Sequence, residues 1–75
     1  MTGGTVLDTS GERCPIPLLR AKQALRGLAP GESLTVIATD PEASVDFGAW
    51  AAVERLELHE REHDGRIELV VSRAA

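Results

Sequence analysis

The chain predicts an α/β fold of order β-α-β-α-β-β, with two helices covering one face of a four-stranded sheet. Three observations carry that prediction. Two stretches with apolar residues at helical spacing each open on proline, at Pro15 and at Pro41. Residues 34–39 alternate as a strand does, and Asp64-Gly65 separates two further runs of strand character. Helices of this length interleaved with strands bury their apolar stripes most simply by lying together on one sheet face.

Thr5-Val6-Leu7-Asp8 is a short strand, followed by a Thr9-Ser10-Gly11 turn. Pro15 to about Leu28 reads as the first helix, since Leu18, Ala21, Leu25 and Leu28 fall at i, i+3, i+7 and i+10. Pro30-Gly31 stops it. From Glu32 to Thr39, Leu34, Val36 and Ala38 alternate with Thr35, Ile37 and Thr39, giving a strand expected to be buried on much of both faces. Asp40 then serves as N-cap with Pro41 at the first helical position. Val45, Ala49, Trp50 and Val53 share one face of this second helix, and Gly48 weakens its interior by up to ~1 kcal/mol relative to alanine. Leu56–His63 and Arg66–Ser72 flank Asp64-Gly65, a strong hairpin signal, with Ile67, Leu69 and Val71 alternating after it.

The single cysteine lies in Arg13-Cys14-Pro15-Ile16-Pro17, directly ahead of the first helix. Proline is tolerated in a first helical turn, where the missing N–H has no intrahelical partner. Pro15 also pushes Cys14 toward the extended geometry of an N-cap residue. The expectation is a thiol over the positive end of a helix, with the N–H groups of Ile16 and Leu18 pointing at the sulfur and its pKa depressed. Against this stands the ordinary fate of an intracellular cysteine, a buried small hydrophobe without chemistry. The flanks oppose that fate, because Glu12 and Arg13 precede the thiol and no apolar run encloses it. A helix-mouth cysteine is read as a nucleophile or a sulfur carrier.

Seventy-five residues are expected to form one domain, 1–75. A chain this short buries only about 60–65% of its unfolded surface, too little to enclose a deep pocket. Chemistry is therefore expected on an exposed rim that a partner protein closes. No apolar run approaches the ~18 residues of a membrane span. Met1 to Gly4 carry neither a basic nor an apolar leader segment, and with one cysteine the expected compartment is the cytoplasm. A single thiol excludes thioredoxin-like exchange, paired-cysteine metal sites and two-cysteine peroxide chemistry within the chain. Whatever Cys14 acquires must pass to another molecule or be hydrolysed.

The net charge of −4 is unevenly spread. Arg13, Arg20, Lys22 and Arg26 are the only charged residues from 13 to 31, giving +4, so the remainder carries −8. A solvated helix face explains this as readily as a basic surface that lowers the thiol pKa and docks an acidic partner or a phosphate backbone. Direct nucleic-acid binding is not expected, because Phe47 and Trp50 are the only aromatics and no stacking platform exists. The acidic, largely polar surface is expected to leave the chain monomeric.

His59-Glu60-Arg61-Glu62-His63 matches a zinc-hydrolase helix motif. That chemistry needs both histidines on one helical face, whereas Asp64-Gly65 and the strand beyond demand an antiparallel partner immediately upstream. On a strand, residues four apart lie about 13 Å from each other, too far to share a zinc ion. The run is read as a charged edge strand that blocks sheet-to-sheet association, with no metal site.

Gly11-Glu12-Arg13-Cys14-Pro15-Ile16-Pro17 at a helix start, Pro30-Gly31-Glu32-Ser33-Leu34 leading into the second strand, and Asp40-Pro41 followed by Asp46-Phe47 and Trp50 resemble the TusA/SirA-like sulfurtransferases. The resemblance runs from about Val6 to Ser72 and implies a two-layer sandwich with a mixed sheet, similar to the C-terminal domain of translation initiation factor 3. It implies sulfur carried as a persulfide on Cys14, received from a cysteine desulfurase or other donor and relayed to an acceptor protein, with no cofactor. tRNA thiolation, cofactor sulfuration and sulfur oxidation are all served by proteins of this kind. In that scheme Pro15 and Pro17 position the thiol, while Arg13, Arg20 and Lys22 activate it or dock a partner. Some members carry a second cysteine where this chain has Ala51, and the aromatic that often precedes the terminal basic residues is replaced within Val70-Val71-Ser72-Arg73. The rival reading is a non-catalytic protein- or RNA-interaction module using the basic first helix, and a selenium cargo would ask for the same soft nucleophile.

Overall fold

The computed structural model describes residues 4–73; residues 1–3, within the expected leaderless start, and 74–75 lie outside the described part. The elements are β1 (Gly4–Asp8), α1 (Ile16–Arg26), β2 (Ser33–Ala38), α2 (Glu42–Glu54), β3 (Leu56–His63) and β4 (Arg66–Arg73). The sheet order is β1-β2-β4-β3, with β1 parallel to β2 and the other two pairings antiparallel. The expected mixed sheet with its two helices is therefore present.

Period-2 alternation builds the core. Leu34, Val36 and Ala38 of β2 stand opposite Val71, Leu69 and Ile67 of β4, and all six are buried on one face. Ala21 and Leu25 of α1 pack on that face beside Ala43, Phe47 and Trp50 of α2. The opposite face has no helix over it, so Thr35 and Ile37 are only half-buried and Thr39 is exposed. Burial of β2 on both faces was the expectation; two helices on one side leave the other to solvent.

The buried stripe of α2 also differs from the expected one. Val45 and Val53 are 65% and 82% exposed, and Ala49 is exposed with them. Ala43, Phe47, Trp50 and Ala51 turn inward instead. Phe47 and Trp50 meet edge to face with centroids 5.7 Å apart. Burying two aromatic rings in contact outweighs burying two valines.

Helix α1 ends at Arg26, two residues before the predicted Leu28, because the N–H groups of Gly27 and Leu28 fold back onto the carbonyls of Ala24 and Leu25 at 3.1 Å. Arg73 from the last strand closes this end, donating Nη1 to the Leu28 carbonyl at 3.0 Å and Nη2 to that of Leu25 at 2.6 Å. The predicted hairpin is present. Asp64 and Gly65 have φ of 53° and 74°, the left-handed pair that a two-residue turn between twisted strands requires. His59 and His63 lie on the exposed edge strand β3, as the strand reading expects.

Candidate functional site

Because β1 and β2 are parallel, both helices start at the same sheet edge, beyond the C-terminal ends of the two strands. Binding sites of open α/β sheets form at such edges. Thr9 fastens the β1–α1 loop there, its N–H and Oγ1 both donating to the Ile37 carbonyl at 2.8 and 2.7 Å. Gly11 donates its N–H to Thr39 Oγ1 at 2.9 Å. The next tie is to the cysteine itself, whose N–H donates to Asp40 Oδ2 at 3.0 Å.

Asp40 joins the two helix starts. Its other oxygen, Oδ1, accepts from the Glu42 N–H at 3.0 Å, the bond of an N-cap, although the helical hydrogen-bond ladder places the boundary at Pro41. The amides of Glu42 and Cys14, then the charge of Arg13, hold the Asp40 carboxyl below the usual carboxylate range. Arg13 thus acts on the aspartate that positions the cysteine.

Cys14 is partly buried and packs against the core. It stands one residue further from α1 than expected, since Pro15 takes the cap position and Pro17 the second helical one. The Cys14-Pro15 bond is cis. The Ile16 N–H is spent on the Arg13 carbonyl at 2.9 Å and does not serve the sulfur. Burial, a hydrogen bond from the thiol to the Asp46 carboxylate, and the negative charges of Asp46, Asp40 and Glu42 push the Cys14 pKa up to about 11. The expectation of a thiol ionised by the helix mouth is therefore corrected. Burial first, and then the carboxylates of Asp46, Asp40 and Glu42, hold the proton on the sulfur.

The basic residues assigned to activation take other places. Arg20 is paired through Nη1 with Glu12 Oε2 at 2.6 Å. Lys22 lines the groove between the helices beside Trp50 and Glu54. Neither is among the leading influences on the thiol. Pro17 is fully buried and Pro15 is exposed. Glu42 and Asp46 were not singled out for chemistry from the sequence. Their signal was available in the topology, since parallel first and second strands bring both helix starts to one edge. Among the described residues, no group of three or more His, Cys, Asp or Glu is placed to hold a metal ion.

The arrangement offers one soft nucleophile on an open rim, held by its own backbone to the neighbouring helix. The model of the family described as sulfurtransferase TusA matches residues 5–73. The sulfur carrier protein TusA of Allochromatium vinosum is 48% identical over 59 residues, covering 79% of this chain and 78% of that protein. Protein YrkI of Bacillus subtilis is 39% identical over 67 residues, covering 89% of each. The crystal structure of the SirA-like protein from Desulfitobacterium hafniense superposes with a TM-score of 0.83 at 30% identity, over 95% of this chain and 99% of that one. A family match spanning nearly every described residue, joined to the same fold, means that the chain belongs to the TusA family of sulfur carriers.

Proposed function

We propose that Cys14 carries sulfur as a persulfide between two proteins. The observation that carries this reading is the position of the chain's only thiol, on an open rim where Asp40 fixes its backbone from the neighbouring helix. The donor is a protein persulfide, such as that of a cysteine desulfurase, and the acceptor is a thiol of a relay protein. In the loading step the Cys14 thiolate attacks the outer sulfur of R–S–SH. A Cys14 S–S bond forms, the donor S–S bond breaks, and R–S⁻ leaves. In delivery, the acceptor thiolate attacks the outer sulfur of Cys14–S–SH and Cys14 leaves as thiolate. No net oxidant or reductant is consumed.

Pro15 and Pro17 position the thiol, and Arg13 acts through Asp40. Arg20 and Lys22 belong to the partner-facing side of α1. Burial and the carboxylates around Cys14 favour the protonated thiol, so a donor that brings cationic charge or a proton acceptor to the rim eases loading. A neutral resting thiol is also poorly reactive toward adventitious electrophiles.

The test is delivery. Sulfur-loaded chain, freed of donor, is mixed with a thiol-bearing acceptor protein, and both are weighed intact. One sulfur atom lost from this chain and gained by the acceptor supports the relay. Loss of sulfur only as sulfide, with no gain on the acceptor, would contradict it.

A further inference from the structure

A groove between α1 and α2 leads away from Cys14. Its nearer part, a hollow of about 310 Å³, reaches Asp46 beside the thiol and is lined by Leu18, Ala49 and Val53. Its farther part, of about 380 Å³, shares Lys22, Trp50 and Glu54 with the first. Lys22, Arg26, Arg55 and Arg73 ring the farther part against Glu54 alone, four cations to one anion and hence +3, in a chain of net charge −4. Among the described residues none of the four cations has an ion-pair partner.

Two of these arginines stand out, Arg55 by its backbone and Arg73 by the bonds of its guanidinium. Arg55 ends α2 with φ 58° and ψ 45°, the left-handed conformation that glycine ordinarily supplies because a Cβ crowds the following carbonyl. Holding an arginine there sacrifices stability that glycine would retain. Arg73 is fixed by the carbonyls of Leu25 and Leu28. The groove thus presents Leu18, Ala49 and Val53 in its nearer part and a cluster of cations, with Arg73 held in place, in its farther part.

We propose that this groove docks an extended acidic segment of the protein that exchanges sulfur with Cys14. Apolar residues of the segment lie over Leu18, Ala49 and Val53, and its carboxylates meet Arg26, Arg55 and Arg73. The assignment rests on the carrier role of Cys14. Helix α1 spans Ile16–Arg26, a rise of about 15 Å, which an extended chain covers in about five residues. The acidic residues of the partner therefore lie about five positions from its sulfur-exchanging cysteine. A peptide fits better than RNA, because Trp50 is only 7% exposed and offers no open ring for a base.

The probe is a synthetic, fluorescently labelled peptide with a serine in place of the exchanging cysteine, apolar residues next, and three Asp or Glu five positions away. A lysine counterpart and a single-stranded RNA oligonucleotide are compared with it on the full chain, alongside Arg55→Gly and Arg26→Ser. The acidic peptide binds and the lysine peptide does not. Each variant weakens binding about two- to fivefold, and salt weakens it further. Arg55→Gly does so without lowering Tm, which separates docking from folding. Equal affinity for both peptides, unchanged affinity in the variants, or tighter RNA binding at the same arginines would overturn the proposal. Loading of Cys14 from a small persulfide, measured on the same proteins, reads the carrier role separately. A chain that loads but shows no charge preference loses the docking assignment alone.

Discussion

Cys14 sits among three carboxylates, and their effect on its reactivity has a definite sign. Thiolate is the attacking species, so with a pKa pushed up to about 11 the alkylation rate rises with pH well beyond the ordinary thiol value of 9.0. Asp46→Asn removes one of the charges that hold the proton. Iodoacetamide trapping at pH 8 is then expected to be about three- to tenfold faster than in the parent chain. An unchanged rate would remove Asp46 from the account. Asp40 adds to that effect on the thiol, while its own carboxylate is favoured in the folded chain by the Glu42 and Cys14 amides. The stability it adds is present above its ordinary value of 3.8 and is lost as pH falls through the lowered folded value. In Asp40→Ala that contribution is absent already at neutral pH, so unfolding followed by circular dichroism should show lower stability there and a smaller further loss on acidification. At this scale the sequence made the cysteine and its prolines legible, since Cys-Pro-x-Pro is local. It did not show the charge around them, because Asp40 is 26 positions from Cys14 and reaches it only through the fold.

Among the elements, α2 carries both the acidic edge of the site and the largest fully buried side chain, Phe47. Phe47→Ala is expected to cost about 3–5 kcal/mol in urea unfolding, a large share of the stability of so short a chain. A cost below 1 kcal/mol would show that the helix packs otherwise. Helix spacing alone did not identify this face, because valine and alanine lie on several sides of α2 and only contact between Phe47 and Trp50 decides among them. Helix α1 was legible at its start and less so at its end, where Arg73 supplies the closing hydrogen bonds from a strand 45 residues beyond Leu28. Arg73→Ala leaves those carbonyls without a charged donor and should lower stability by about 1–2 kcal/mol. Hydrogen exchange should then quicken first in the last turn of α1. The hairpin needed no such distant partner, since Asp64-Gly65 encodes its own turn.

For the whole molecule, element order and alternation were enough to give the sheet and its helical cover. The same order, with β1 parallel to β2, places two helix starts side by side and so makes a rim out of residues remote in sequence. Burial on one sheet face only, the charge balance at that rim and the groove leading from it are properties of packing, and no window of sequence contains them. The central claim is that Cys14 bears the sulfur. Its most direct test is the intact mass of the chain after incubation with a cysteine desulfurase and cysteine, beside Cys14→Ser. An adduct one sulfur atom heavier, removed by dithiothreitol and absent from Cys14→Ser, is the predicted result. The same adduct on Cys14→Ser, or none on a parent chain whose desulfurase loads another accepted carrier, would contradict it.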